Sequence, residues 1–214
     1  MKKSFFIFTA FLFCFQISGM SQKSRVGVQG GFSVAHLNTT INGTKEDNHS
    51  LIGLTFGMLV DVPVSRNIVF RPNLNYVQKG KWLHTGGGIN RAKVTDELRH
   101  AEMSLNFLYK ISGGDGSFYF GLGPSVDFNV PSKRITKKNQ IKTTTDINFG
   151  NTNSENYRGF NYGANILAGV GLSKSLFLAA NYNQGLRNLF TGTTKGKIRS
   201  SYFGLQLGYL VKNK

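Results

Sequence analysis

Residues 118–130 read Phe-Tyr-Phe-Gly-Leu-Gly-Pro-Ser-Val-Asp-Phe-Asn-Val, and this stretch decides the fold class of the chain. Every second residue from Phe118 to Val130 is apolar, whereas the positions between them hold mainly glycine and polar residues. Successive side chains of a β-strand point to opposite faces of its sheet. The alternation therefore predicts a strand with one apolar face and one face of small and polar side chains.

The same period of two recurs in seven further segments, each long enough for the roughly 9–11 residues of a tilted membrane strand. These segments are 25–37, 52–62, 67–79, 98–111, 160–172, 175–186 and 198–211. The gaps alternate in length. Short gaps lie at 63–66, 112–116 and 173–174, and long polar gaps lie at 38–50, 80–97, 131–157 and 187–197.

From this pattern we predict an all-β fold, an eight-stranded antiparallel transmembrane β-barrel with short periplasmic turns and long extracellular loops. The alternative is a soluble β-sandwich, whose apolar faces would turn inward. The even number of segments and the sorting of the gaps by length favour the barrel, because outer-membrane barrels have both features. Closing the sheet also pairs every backbone group, as the hydrocarbon layer requires.

The N-terminus has the layout of a secretory signal peptide. Two lysines precede the apolar run Phe5–Phe15, and small and polar residues follow it. As a helix this run rises only about 16 Å, roughly half of a bilayer core, which argues against a membrane-anchoring helix. We predict that 1–21 is cleaved and that 22–214 forms the barrel domain. The single cysteine, Cys14, is then removed with the signal.

The chain is basic, with 26 lysines and arginines against 10 acidic residues and a net charge of +16. Such an excess favours an anionic partner, which could be nucleic acid or a membrane surface. Because the sequence has no recognised nucleic-acid-binding motif, we predict outer-membrane lipid and lipopolysaccharide as partners, with envelope proteins beside them and no nucleic acid. The loop residues expected to face lipopolysaccharide, rather than only solvent, are Lys133, Arg134, Lys137, Lys138, Lys142, Arg187, Lys195 and Lys197.

Several stretches resemble a known family. They are Phe70–Gly80, Phe118–Phe128, Phe160–Leu172, Asn181–Leu189 and Phe203–Tyr209. They resemble the PorT-like outer-membrane β-barrel proteins of Gram-negative bacteria, which are small outer membrane protein beta-barrel domains. The family's fourth strand usually carries Leu-Glu-Ile-Pro-Leu, and here Ala101-Glu102-Met103-Ser104-Leu105 keeps the glutamate but not the proline. The resemblance implies the barrel fold, an outer-membrane location after export and, as in some members, a role in a protein-secretion and gliding apparatus.

The interior of an eight-stranded barrel is just wide enough to be filled by side chains, so we expect a packed core. By parity, Asp61, Arg71 and Glu102 point inward. An isolated buried charge is unfavourable by on the order of several kcal/mol. We therefore predict an internal ion-pair network in which Arg71 contacts Asp61 and Glu102. The alternative is that these charges line a gated path for protons or small solutes.

No catalytic, cofactor-binding or metal site is predicted. The four histidines are scattered, and the sequence has no HExxH motif, paired-cysteine spacing or EF-hand loop. A lipid-modifying enzyme would need a base constellation at the lipid edge, for which only Ser33 and Glu102 lie near His36 and His100 in sequence. We predict a non-enzymatic barrel with a structural or binding role at the cell surface. The alternatives are a component of a secretion or gliding apparatus and, more distantly, a lipid-modifying enzyme.

Overall fold

The computed structural model describes residues 24–87, 91–113, 116–139, 141–152, 155–192 and 195–211. The signal peptide predicted for 1–21 lies outside these ranges. Within them the chain forms β1 Arg25–Ile41, β2 Thr44–Lys45, β3 His49–Pro63, β4 Ile68–Thr85, β5 Ala92–Gly113, β6 Gly116–Lys138, β7 Ile141–Ile147, β8 Phe160–Gly171, β9 Leu176–Gly185 and β10 Gly196–Leu210. No helix in the described part of the chain is long and apolar enough to cross a membrane.

Eight of these strands form a closed antiparallel ring in the order β1, β3, β4, β5, β6, β8, β9 and β10. The last strand pairs back onto the first, from Gly27 opposite Leu210 to Ile41 opposite Gly196. The short strands β2 and β7 are additions that pair with β1 and β6. The predicted eight-stranded barrel is confirmed, and its closure leaves no free sheet edge within the ring.

The outer wall of the ring carries an apolar band. On β6, Phe118, Leu122 and Phe128 are each more than half exposed, and the other ring strands expose apolar side chains in the same way. The stretch from Phe118 to Phe128 rises about 25 Å, at roughly 3.3 Å per residue and a strand tilt of about 40°. This height matches the lipid-facing band of outer-membrane barrels, which is about 25 Å tall.

Glycine on the inner wall lets neighbouring strands approach closely. A Cβ atom at Gly123 would collide with the carbonyl oxygen of Leu105, and one at Gly31 would collide with that of Leu205. These positions therefore require a residue without a side chain.

The strands continue well past the apolar band on the side opposite the short turns. Residues 80–97 and 131–157, which were expected to be loops, contain the end of β4, the start of β5, the end of β6 and all of β7. The alternation stops there because both faces of the sheet are polar once the strands leave the lipid. Backbone pairing continues regardless, as far as Thr85 opposite Ala92.

Candidate functional site

A bidentate ion pair lies inside the barrel near the short turns. Arg71 Nε donates to Asp61 Oδ1 at 2.5 Å and Arg71 Nη2 donates to Asp61 Oδ2 at 2.9 Å. Lys110 Nζ donates to Asp61 Oδ2 at 3.1 Å. The guanidinium of Arg71 lies 4.9 Å from the ring centroids of both Tyr119 and Phe177. The structure thus brings Arg71 together with Asp61, as the sequence predicted.

Glu102 lies with Lys79 rather than with Arg71, which corrects the expected network. Lys79 Nζ donates to Glu102 Oε2 at 2.9 Å and to Asp127 Oδ2 at 2.8 Å. Arg71 pairs across β5 with Asn106, four residues from Glu102, a displacement of about 13 Å along the strand. Lys79 shares the inward parity of Arg71, and that parity is the signal that could have identified it.

Lys79, Glu102 and Asp127, here called the charged triad, are each about 1% exposed. The Tyr202 hydroxyl donates to Glu102 Oε1 at 2.5 Å, and Asn161 Nδ2 donates to Asp127 Oδ2 at 3.0 Å. The two carboxylates of the triad therefore accept hydrogen bonds from Tyr202 and Asn161 as well as from Lys79. Buried charges are tolerated when they are paired and hydrogen-bonded, and Lys79 supplies the pairing for both carboxylates. Asp127 Oδ1 has no hydrogen-bond partner among the described residues.

A layer of amides and hydroxyls fills the space between the ion pair and the charged triad. Its hydrogen bonds join Gln29 to Asn75, Asn165 to Asn106, Asn183 to Ser125 and Gln206 to Thr55, at 2.7 to 3.0 Å. The cavity within this layer has a volume of about 10 Å³. That is room for about one water molecule, so the middle of the barrel is packed.

Apolar clusters close the barrel above and below the polar layers. The periplasmic cluster consists of Leu59, Val69, Leu108, Tyr119, Leu167, Phe177, Ala179 and Leu210. The outer cluster, here called the outer cap, consists of Leu37, Leu98, Ile147, Tyr157, Leu189 and Ile198. Ile147 ends β7 on the side nearer the barrel, Tyr157 lies in the connection from β7 to β8, and Leu189 lies in the connection from β9 to β10, so these connections fold over the mouth of the barrel.

A hydrogen-bonded group fastens the outer cap to the strands. Arg134 Nε and Nη2 donate to Asp96 at 2.6 and 2.9 Å, and the Tyr157 hydroxyl donates to Asp96 Oδ2 at 2.6 Å. Burial and the neighbouring Asp96 raise the pKa of the Tyr157 hydroxyl well above its usual range. The hydrogen bonds that Arg134 donates to the Asp96 carboxylate raise the pKa of its guanidinium. Arg134 was expected to face lipopolysaccharide, and it is instead engaged by the cap.

The other predicted basic residues lie on the outer rim, most of them on strands rather than in loops. Lys133, Lys137 and Lys138 are on β6, Lys142 is on β7 and Lys197 is on β10, and all five are exposed. Lys195 is exposed in the connection before β10. Arg187 stacks on the Phe160 ring at 3.8 Å and donates to the Phe160 carbonyl oxygen at 3.0 Å.

Two groups of cations lie on this rim, on opposite sides of the strand ring. Lys93, Lys137 and Lys142 stand directly opposite one another across β5, β6 and β7, and are here called the lysine row. Lys45 and Lys197 flank Thr40 across β2, β1 and β10. With Arg199 they line an open groove of about 370 Å³. Sequence reasoning missed Lys45, Lys93 and Arg199, because only strand register shows that they lie beside the predicted lysines.

His49 and His84 both pack against the Trp82 ring, whereas His36 and His100 lie on opposite sides of the barrel wall. His36 Nδ1 lies 3.4 Å from Ser50 Oγ on the outer wall, and among the described residues no carboxylate is hydrogen-bonded to this pair. His100 is buried inside the barrel, and Ser33 donates to the Gln78 carbonyl oxygen. Within the described ranges, no group of three or more histidine, cysteine, aspartate or glutamate side chains could hold a metal ion.

Comparison with known proteins gives one family and several distant structures. The family described as "Outer membrane protein beta-barrel domain" has a model that matches residues 20–191. The crystal structure of Ail of Yersinia pestis, in complex with the heparin analogue sucrose octasulfate, is 10% identical, with a TM-score of 0.44 over 89% of this chain and 100% of that one. OprG of Pseudomonas aeruginosa is 11% identical, with a TM-score of 0.46 over 90% of this chain and 98% of that one. No curated protein matches the sequence.

Proposed function

Because the chain belongs to the outer membrane protein beta-barrel domain family, we propose that it is a sealed, non-conducting and non-enzymatic barrel with a structural and binding role at the cell surface. The observation that carries this proposal is the filled interior. A pore needs a continuous column of water, and here the ion pair, the amide layer, the charged triad and the outer cap lie in its way. The cavity of about 10 Å³ in the amide layer holds no more than about one water molecule.

A liposome-swelling assay with the purified full chain tests the sealed interior. We expect vesicles that contain the folded protein to take up arabinose no faster than empty vesicles. Heat-modifiable migration of the reconstituted protein serves as the control that it is folded and inserted. Uptake that increases with the amount of folded protein would contradict a sealed barrel.

The lysine row supports binding of the phosphate groups of lipopolysaccharide. Like charges directly opposite one another in a sheet destabilise it, and a bound anion removes that repulsion. Lys137 is nine residues past Phe128, about 23 Å beyond the apolar band at the same rise and tilt, so the row faces the saccharide part of lipopolysaccharide rather than its lipid A phosphates. A cation contributes about 1 kcal/mol where a phosphate lies within a Debye length, so the row contributes at most about 3 kcal/mol.

Stabilisation by lipopolysaccharide measures this binding. Nanodiscs with phosphorylated lipopolysaccharide should stabilise the wild-type barrel more than nanodiscs with dephosphorylated lipopolysaccharide. We expect the double variant Lys137→Gln, Lys142→Gln to lose most of that difference. The control variant Arg66→Gln, Lys174→Gln removes the same charge at the opposite end and should keep the difference. Equal loss in both variants would show that only net charge matters.

The resemblance of Phe70–Gly80 and Phe118–Phe128 to PorT-like proteins supports a second candidate function, in a secretion or gliding apparatus. These segments form β4 and β6 of the barrel wall. A deletion strain distinguishes the candidates. Loss of secreted proteins from the culture medium favours the export role, and an altered lipid A mass spectrum would favour a lipid-modifying enzyme. If both are unchanged, the structural and binding role remains.

A further inference from the structure

The barrel has a second cavity, at the end that carries the short turns. Its volume is about 110 Å³. At about 30 Å³ for each water molecule in the liquid, this is room for three to four waters or for one small polyatomic ion. In outer-membrane barrels the short turns face the periplasm, so the cavity lies at the periplasmic mouth.

Cations dominate the lining of this cavity. Arg25, Arg71, Lys110 and Lys174 line it, and among the described residues of the lining there is no acidic side chain. Behind the lining, three of these cations share the carboxylate of Asp61. Its Oδ2 atom lies 2.9 Å from Arg71 Nη2, 3.1 Å from Lys110 Nζ and 3.8 Å from Arg25 Nη2.

One carboxylate cannot neutralise these cations. Arg71 has the bidentate bond to Asp61 and two aromatic rings against its guanidinium, so its own charge is well accommodated. Lys110 and Arg25 only share an oxygen that Arg71 already uses. Lys174 adds a further exposed cation at the rim of the cavity. Partly buried cations without their own counterion favour the entry of an anion.

Hydroxyl groups supply neutral donors at the same place. Ser117, Ser173 and Tyr119 line the cavity with the cations. Tyr119 is 4% exposed, and its hydroxyl has no hydrogen-bond partner among the described residues. A buried hydroxyl is normally hydrogen-bonded, so the Tyr119 hydroxyl is available to donate to an anion that enters the cavity.

We propose that this cavity, here called the periplasmic anion site, binds a phosphate group presented from the periplasm, either as inorganic phosphate or as a monoester. Among the described residues, Arg25, Lys110 and Lys174 have no counterion of their own, and three such cations favour a divalent anion. A phosphate monoester carries about −1.5 to −2 charges at neutral pH and three acceptor oxygens, whereas a carboxylate carries a single charge. The site is independent of the outer rim, because it lies at the opposite end of the barrel.

The test is a titration of the full chain in octyl glucoside with inorganic phosphate, followed by ³¹P line broadening. We expect saturable broadening with the wild-type protein. As competitors, sulfate, which is divalent, should reduce this broadening, and acetate at the same concentration should reduce it much less. Lys110→Gln should weaken phosphate binding by about tenfold, the effect of one charge-assisted hydrogen bond. Lys174→Gln changes an exposed position and leaves the core intact, and it should weaken binding by about the same factor. Tyr119→Phe keeps the ring beside Arg71 and should weaken binding by about three- to tenfold.

Arg66→Gln, in the neighbouring turn, removes a cation that does not line the cavity and should bind phosphate as the wild type does. Absence of saturable broadening in the wild type would overturn the proposal, as would equal binding by all variants. Stabilisation by phosphatidylglycerol nanodiscs without any binding of inorganic phosphate would also contradict it, because the ligand would then be a headgroup in the membrane.

Discussion

Replacing Lys79 by alanine should destabilise the barrel strongly. Lys79 is the cation that both Glu102 and Asp127 contact, at 2.9 and 2.8 Å, in an interior where each triad side chain is about 1% exposed. Removing one partner from a buried ion pair lowers the free energy of unfolding by about 3–5 kcal/mol. Here two carboxylates would lose their partner at once, so we expect Lys79→Ala to fall in the upper part of that range.

Urea titration in detergent micelles measures the loss, with the folded fraction read from heat-modifiable migration. At a slope of about 2 kcal/mol per M, a loss of about 4–5 kcal/mol lowers the midpoint by about 2–2.5 M. Lys137→Ala, at an exposed lysine, should change the free energy by no more than about 0.5 kcal/mol. The triple variant Lys79→Met, Glu102→Gln, Asp127→Asn removes every charge of the triad and should recover most of the stability.

If the midpoint of Lys79→Ala fell no further than that of Lys137→Ala, the reasoning would be refuted. Such a result would mean that water reaches Glu102 and Asp127 and solvates them without Lys79. The interior would then be wet at the level of the charged triad.

Three further predictions concern other parts of the barrel. Tyr202→Phe removes the hydrogen bond to Glu102 and should lower the urea stability by about 1.5–3 kcal/mol, whereas Tyr209→Phe on the outer wall should change it little. Tyr157 has a raised pKa in the folded protein, so its contribution is present below its ordinary value of about 10 and is lost as the pH rises above it. Absorbance at 295 nm should therefore show one late-titrating tyrosine fewer in Tyr157→Phe than in the wild-type protein, and loss of a tyrosine that titrates at its ordinary pKa instead would contradict the closed cap. Gly123→Ala places a methyl group against the Leu105 carbonyl oxygen and should reduce the yield of heat-modifiable barrel, while Gly87→Ala, which meets no neighbour, should not.

The membrane-spanning part of the barrel was predictable because lipid makes the alternation of side chains visible in the sequence. Phe118 and Phe128 had to face outward, and parity then placed Asp61, Arg71 and Glu102 inside. Parity alone fixes the face of a residue but not its depth. Depth depends on strand register and tilt, and this is why Glu102 was assigned to Arg71 and not to Lys79.

The outer part of the molecule was harder to predict for a related reason. Beyond the apolar band the strands have polar residues on both faces, so the sequence around Lys93 and Lys137 has the composition of a loop. The lysine row exists only because hydrogen-bonded register sets residues from three strands side by side. The same holds for the outer cap, where Asp96, Arg134 and Tyr157 come from distant parts of the chain.

Single-channel recording in a planar bilayer tests the central claim, a barrel whose interior is filled, most directly. The folded protein, inserted from detergent, should give no discrete current steps at any applied voltage, and Lys79→Met, Glu102→Gln, Asp127→Asn should behave in the same way because it keeps the packing. Regular current steps from the wild-type protein would contradict the claim and would show that ions pass the charged triad.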